Sequence, residues 1–150
     1  MNVLYCGDRN IESGLIISIL SLLKNAKTNL KVYVLTINSK EWNIDGVTDK
    51  CIAVLDNKMK LINKENSIKK FDITEIFEKE LPAKNMKTRF TPCCMLRLFA
   101  DEIAELPDKI LYLDNDVICR KDCQEFYNQD MEKYEIARVF RLLWKVVFQK

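Results

Sequence analysis

The chain has 150 residues, 48% apolar and 31% charged, which is the balance of a globular protein with enough length to build a hydrophobic core. Its 24 basic residues nearly cancel 22 acidic ones, and a net charge of +2 removes any electrostatic case for wrapping nucleic acid. The apolar run LIISILSLL, residues 15–23, is far short of the ~20 residues that span a bilayer, so no transmembrane segment is expected.

The N-terminal stretch MNVLYCGDRN reaches Asp8 too early to serve as a signal-peptide core, and the expected location is cytoplasmic, with peripheral membrane contact left open. NVLYCG, residues 2–7, reads as a short buried strand ending at a Gly-Asp turn. An apolar helix follows from about Ile11 to Asn25, with Leu15, Ile19, Leu22 and Leu23 at helical spacing. LKVYVLT, residues 30–36, is a second strand, rich in β-branched and aromatic side chains. Strand, helix and strand in so short a stretch form a βαβ unit, which implies a parallel sheet with a right-handed crossover.

Cys51, Leu55, Met59 and Ile62 predict a helix from Thr48 or Asp49 to about Asn63. SIKKFDI, residues 67–73, alternates as a strand, and TEIFEKEL is a short helix closed by Pro82. Thr91-Pro92 starts another helix, an N-cap followed by proline in the first turn, whose apolar face carries Leu96, Phe99, Ile103 and Leu106. DKILYLDNDVIC is the strongest strand, and consecutive Ile110, Leu111, Tyr112 and Leu113 imply burial on both faces.

From Ile136 to Lys150 the chain reads IARVFRLLWKVVFQK, basic and apolar without an acidic residue. A strand could begin there, but no turn signal ends it. Two readings stand side by side: an amphipathic terminal helix, or residues foreign to the original sequence after an interruption of the gene. With three glycines and three prolines there is no linker or repeat. One domain over residues 1–137 is expected, with an atypical tail over 138–150.

Cys6, Cys51, Cys93, Cys94, Cys119 and Cys123 match no structural zinc spacing, and the chain has no histidine to complete one. Reduced, mostly buried thiols are expected.

The chemistry centres on Asp114-Asn115-Asp116, at the carboxyl end of the most apolar strand. Residues two apart in a strand share a face, so both carboxylates would point at one place, and a hard divalent cation such as Mn²⁺ or Mg²⁺ would relieve their repulsion. Ligands of open α/β sheets sit outside the carboxyl ends of strands. Against this stands a simple pair of solvated turn aspartates. The same triplet also fits aspartyl-phosphate phosphatases, but only 34 residues follow Asp116, too few for the rest of that machinery. Asp8 and Asn10 lie at a strand-to-helix turn suited to a base or ribose, although on the residues alone capping of the following helix explains them better. No G-x-G-x-x-G accompanies that turn, which counts against a nicotinamide or flavin cofactor. Arg97 either snorkels to solvent or faces the carboxyl edge of the sheet, where it would hold phosphate or sugar oxygens.

Together MNVLYCGDRN and MLRLFADEIAELPDKILYLDNDVIC resemble the opening turn and the helix-strand-DxD region of the family-8 glycosyltransferases, which include lipopolysaccharide galactosyltransferases and glycogenin. The resemblance covers roughly residues 1–137. It implies the N-terminal part of a Rossmann-like GT-A fold, a mostly parallel sheet flanked by helices. It also implies retaining transfer of a hexose from a UDP-sugar to a glycan or lipopolysaccharide acceptor. By resemblance, Asp8 and Asn10 with backbone at Cys6 and Gly7 would contact uridine, and Arg97 would reach the donor sugar or diphosphate. Asp114 would touch metal and ribose beside Asn115, and Asp116 would ligate Mn²⁺. Arg9 and Ile11 depart from the family's turn, which often has an acidic residue and an aromatic there. The family's third metal ligand is a histidine, which this chain lacks, and the Asn-Ala-Gly segment and later acidic motif of its acceptor side are missing as well. The expectation is therefore a truncated site with donor-binding elements. The rival is a non-catalytic remnant or interaction module whose tail covers an exposed sheet edge or recruits a partner, an oligomer included.

Overall fold

The computed structural model describes residues 1–80, 92–132, 134–138 and 145–149, with side chains as far as Ile136. β1 (Asn2–Cys6) leads through one 3₁₀ turn, Arg9–Ile11, into α1 (Glu12–Asn25). There follow β2 (Lys31–Thr36), α2 (Asp49–Ile62), β3 (Ser67–Asp72), α3 (Thr74–Lys79) and a long 3₁₀ helix, Pro92–Glu102. β4 (Lys109–Leu113), α4 (Gln124–Tyr127), β5 (Ile136–Arg138) and β6 (Lys145–Gln149) complete the order. The strands form one sheet in the order β3-β2-β1-β4-β6-β5. The first four are mutually parallel, β6 runs antiparallel to β4, and β5 antiparallel to β6.

Alternation along each central strand divides the core in two. Val3 and Tyr5 of β1, Val32 and Val34 of β2, and Leu111 and Leu113 of β4 face α1 and α2. Leu4, Leu35, Ile110 and Tyr112 face the other way, onto Phe77 of α3 and onto Leu96 and Phe99. β4 is thus buried on both sides, as its unbroken apolar run required. The one polar group this core takes in from β1, the Tyr5 hydroxyl, is bonded to Ser18 Oγ of α1 at 2.7 Å, which removes the cost of burying either oxygen alone.

The helix expected from Thr91-Pro92 is present from Pro92, but it winds as a 3₁₀ helix; Thr91, like the expected stop at Pro82, lies outside the described residues. The physical reason is in the spacing. Cys93, Leu96 and Phe99 are buried and recur every third residue, so one turn per three residues stacks them on a single stripe toward the sheet. Cys94, Arg97 and Ala100 then form a second, half-buried stripe beside them.

The tail corrects the helical reading. Ile136–Arg138 and Lys145–Gln149 are strands, and β6 occupies the flank of β4 over five residue pairs, Lys109↔Gln149 to Leu113↔Lys145. An interior strand of a sheet needs backbone partners on both flanks, and Val146, Val147 and Phe148 suit an extended chain better than a helix. None of the six cysteines is in a disulfide, and four of them are buried. No helix among the described residues is long and apolar enough to cross a membrane.

Candidate nucleotide-sugar site

β1 and β4 lie side by side and parallel, so their carboxyl ends open on the same edge. At the end of β1, Gly7 is buried, and its N–H donates to the Leu35 carbonyl at 3.0 Å. A β-carbon at Gly7 would fall 2.6 Å from the Ile11 side chain, so glycine lets the turn fold tightly back onto itself. Asp8 then caps the 3₁₀ turn: its Oδ1 accepts from the Asn10 backbone N–H at 2.9 Å, and its Oδ2 accepts from Asn10 Nδ2 at 3.1 Å. The two side chains assigned to a nucleotide therefore face each other, and the capping explanation of Asp8 holds in this structure.

At the end of β4 the acidic triplet is laid out differently from the simple strand picture. β4 stops at Leu113, and the Val117 N–H donates to the Asp114 carbonyl at 3.1 Å. Asp114 to Val117 is a turn, with Asn115 and Asp116 at its corners. The two-residue alternation that would set both carboxylates on one strand face ends before Asp114. Asp114 is half-buried and Asp116 is exposed. What orients Asp114 is Tyr112, whose hydroxyl donates to Asp114 Oδ1 at 2.6 Å.

Arg97 resolves toward the sheet edge. Its guanidinium lies over the Tyr112 ring, 4.9 Å from the centroid, and its Nη1 stands 3.9 Å from Asp114 Oδ1. That distance is an ion pair without a hydrogen bond, so the guanidinium holds its charge beside the acidic turn while keeping its donors unspent on Asp114. Two thiols lie close to these groups, Cys6 near Arg97 and Asp114, and Cys93 near Asp8. Burial pushes the Cys6 thiol far up, the nearby Arg97 only partly opposing it. Burial also pushes Cys93 up to about 12, reinforced by the charge of Asp8 and by a hydrogen bond to its carboxylate. The Tyr112 hydroxyl is raised as well, mainly by burial, with Cys6 and its own bond to Asp114 adding to it. Burial thus favours the neutral forms of Cys6, Cys93 and Tyr112 beside the charged groups.

The family model for glycosyl transferase family 8 matches residues 2–146. The chain belongs to glycosyltransferase family 8.

The fold agrees with the GT-A arrangement expected of that family. An active-site mutant of LgtC superposes with a TM-score of 0.75 at 16% identity, covering 99% of this chain and 57% of LgtC. The bifunctional glycosyltransferase WbbM gives a TM-score of 0.68 at 20% identity over 93% of this chain and 22% of its own. GlyE of Streptococcus pneumoniae gives 0.66 at 16% identity, over 99% and 34%. At these identities the likeness is one of fold. The chain spans a little over half the length of LgtC. No curated protein matches it.

Within this family-8 chain, the structure brings Arg97 together with Asp114, and Asp8 together with Asn10. Cys6 and Cys93 bridge the gap between the two pairs. Asp116 stands apart at the turn corner. Tyr112 and Cys93 escaped the reading of the sequence. The signal for Tyr112 was its position two residues before Asp114; Cys93 carried none, because its bond to Asp8 joins segments 85 residues apart.

Proposed function

We propose that this family-8 chain binds a UDP-sugar with Mn²⁺ or Mg²⁺ across the carboxyl ends of β1 and β4. For the whole protein we propose retaining, cytoplasmic transfer of a hexose from that donor to a glycan or lipopolysaccharide acceptor. The observation that carries this reading is Arg97 standing over Tyr112 and 3.9 Å from Asp114, one strand away from the Asp8 turn. A fixed guanidinium beside a carboxylate at a strand end suits a diphosphate and its cation together.

The donor atoms fit such a cation as a shared ligand. Among the described residues no group of three or more cysteine, aspartate or glutamate side chains could hold a metal alone. Asp114 and Asp116 supply oxygens only, the chemistry of a hard ion that also takes phosphate oxygens and water. Bound there, Mn²⁺ or Mg²⁺ would offset the charge gathering on the departing UDP. Tyr112 orients Asp114 through its hydroxyl and Arg97 through its ring. Arg97 donates to diphosphate or sugar oxygens. Asp8 and Asn10 part from each other to bond the uridine, with the Cys6 and Gly7 backbone against its face. Beyond Arg97 a cleft of about 540 Å³ runs toward the amino end of β4, lined by Leu98, Leu106 and Ile110 and by Asp101, Asp108 and Glu135, on the side away from the acidic turn.

Titration calorimetry tests the proposal directly. UDP is expected to bind in the presence of Mn²⁺ and to lose most of that affinity in excess chelator. No heat with UDP under either condition removes the reading. Tyr112→Phe deletes one hydrogen bond to a half-buried carboxylate and keeps the ring under Arg97. It is expected to weaken Mn²⁺-dependent UDP binding by about fivefold, with the thermal midpoint nearly unchanged. An affinity equal to that of the parent would show that the hydroxyl does not orient Asp114.

A further inference from the structure

The acidic turn is not held by β4 alone. α1 presents Gly14, Ser21 and Asn25 on one stripe, since steps of seven and eleven residues return to the same face of an α-helix. The segment that leaves β4 runs along this stripe. At Gly14 it comes so close that a β-carbon would sit 2.7 Å from the Asn115 carbonyl oxygen and 2.7 Å from its Nδ2. Two turns further on, Ser21 Oγ accepts from the Cys119 N–H at 2.8 Å, and Asn25 Nδ2 donates to the Cys119 carbonyl at 2.8 Å. Asn25 is itself tied back by a bond from the same Nδ2 to the Ser21 carbonyl at 2.9 Å. Both backbone groups of Cys119 are thus fixed to α1, and the turn between Leu113 and Cys119 is clamped at its far end.

We propose that Gly14, Ser21 and Asn25 are positioning residues for the acidic turn: α1 is a rail that sets the height and angle at which Asp114 and Asp116 meet the donor. This rests on the site reading given above. Glycine in a helix is disfavoured relative to alanine, and here its lack of a β-carbon is what lets Asn115 settle against the helix. Helix propensity and site geometry therefore pull in opposite directions at this position. Alanine at 14 should improve the helix while pushing the Asn115 backbone outward.

The experiment uses three variants of the full chain and two readouts. In the first, Mn²⁺-dependent UDP affinity is measured by calorimetry. In the second, the amide resonances of residues 114–119 are followed by NMR without metal or nucleotide. Gly14→Ala is expected to weaken binding by about tenfold, the scale of a small misplacement of a binding group, and to shift the resonances around Asn115. Ser21→Ala is expected to weaken it by a smaller factor and to shift Cys119, and Ser21→Thr, which keeps the hydroxyl, restores both. A merely structural role would lower the thermal midpoint and leave the affinity of the folded protein alone. Parent-like affinity in Gly14→Ala and Ser21→Ala overturns the proposal. If the parent itself binds no UDP, the donor reading fails, and the resonances still decide the rail: unshifted amides from 114 to 119 overturn it. Should Gly14→Ala not fold, the Ser21 pair decides the matter alone.

Discussion

Asp116→Asn should reduce Mn²⁺-dependent binding of UDP by about a hundredfold or more and leave the stability of the protein within about 0.5 kcal/mol of the parent. The asymmetry follows from where the side chain sits. Asp116 is an exposed corner of the turn that follows β4, with no ion pair among the described residues, so the fold does not depend on its charge. A divalent ion completed by diphosphate oxygens, as proposed above, would depend on it heavily, because the described residues offer only two carboxylates at this point. Asparagine keeps the shape and the turn propensity and removes the charge. UDP affinity measured in chelator should not change. Asp114→Asn is a less clean experiment, since that carboxylate also accepts from Tyr112 and faces Arg97. Binding by Asp116→Asn within twofold of the parent would take Asp116 out of the metal site.

The second large effect is on folding. Leu111→Ala is expected to cost about 3 kcal/mol, read as a lower urea midpoint with an unchanged slope. Leu111 has no exposed surface, pairs in register with Val3 of β1 and Val147 of β6, and sits in the core face shared with α1. The neighbours are strands and a helix already fixed by their own ladders, so the hole cannot close by collapse. Leu98→Ala, at a side chain 67% exposed on the 3₁₀ helix, should change stability by less than about 0.5 kcal/mol. A comparable loss from both variants would mean that β4 is not the centre of a packed sheet.

Leu113 and Asp116 mark where the sequence stops being legible. Along β4, as far as Leu113, each residue announces its own environment. Four apolar residues in succession need two covered faces, and the structure provides them. Beyond Leu113, the same triplet Asp-Asn-Asp was compatible with a strand end or a turn, because short polar residues accept both. The choice fell to the Val117 N–H closing on Asp114 and to the contact of Asn115 with Gly14. Gly14 lies far back along the chain, so that contact is not visible in the local sequence. The tail shows the same limit. VVF carries strand propensity, but basic residues spaced through Arg138, Arg141 and Lys145 also read as a helix face, and only the open flank of β4 decides for strands.

The family, the βαβ opening and the position of the acidic triplet after the most apolar strand were all present in residue order, because each is carried by local periodicity or by a contiguous motif. The winding of residues 92–102, the pairing of β6 with β4 and the meeting of Arg97, Tyr112 and Asp114 were settled only when the chain closed on itself. The reason is one of range. A hydrophobic period is written within a few residues, whereas a 3.9 Å approach between Arg97 and Asp114 is the product of a core face on which residues 92–102 pack against β1, β2, α3 and β4, segments far apart in the chain.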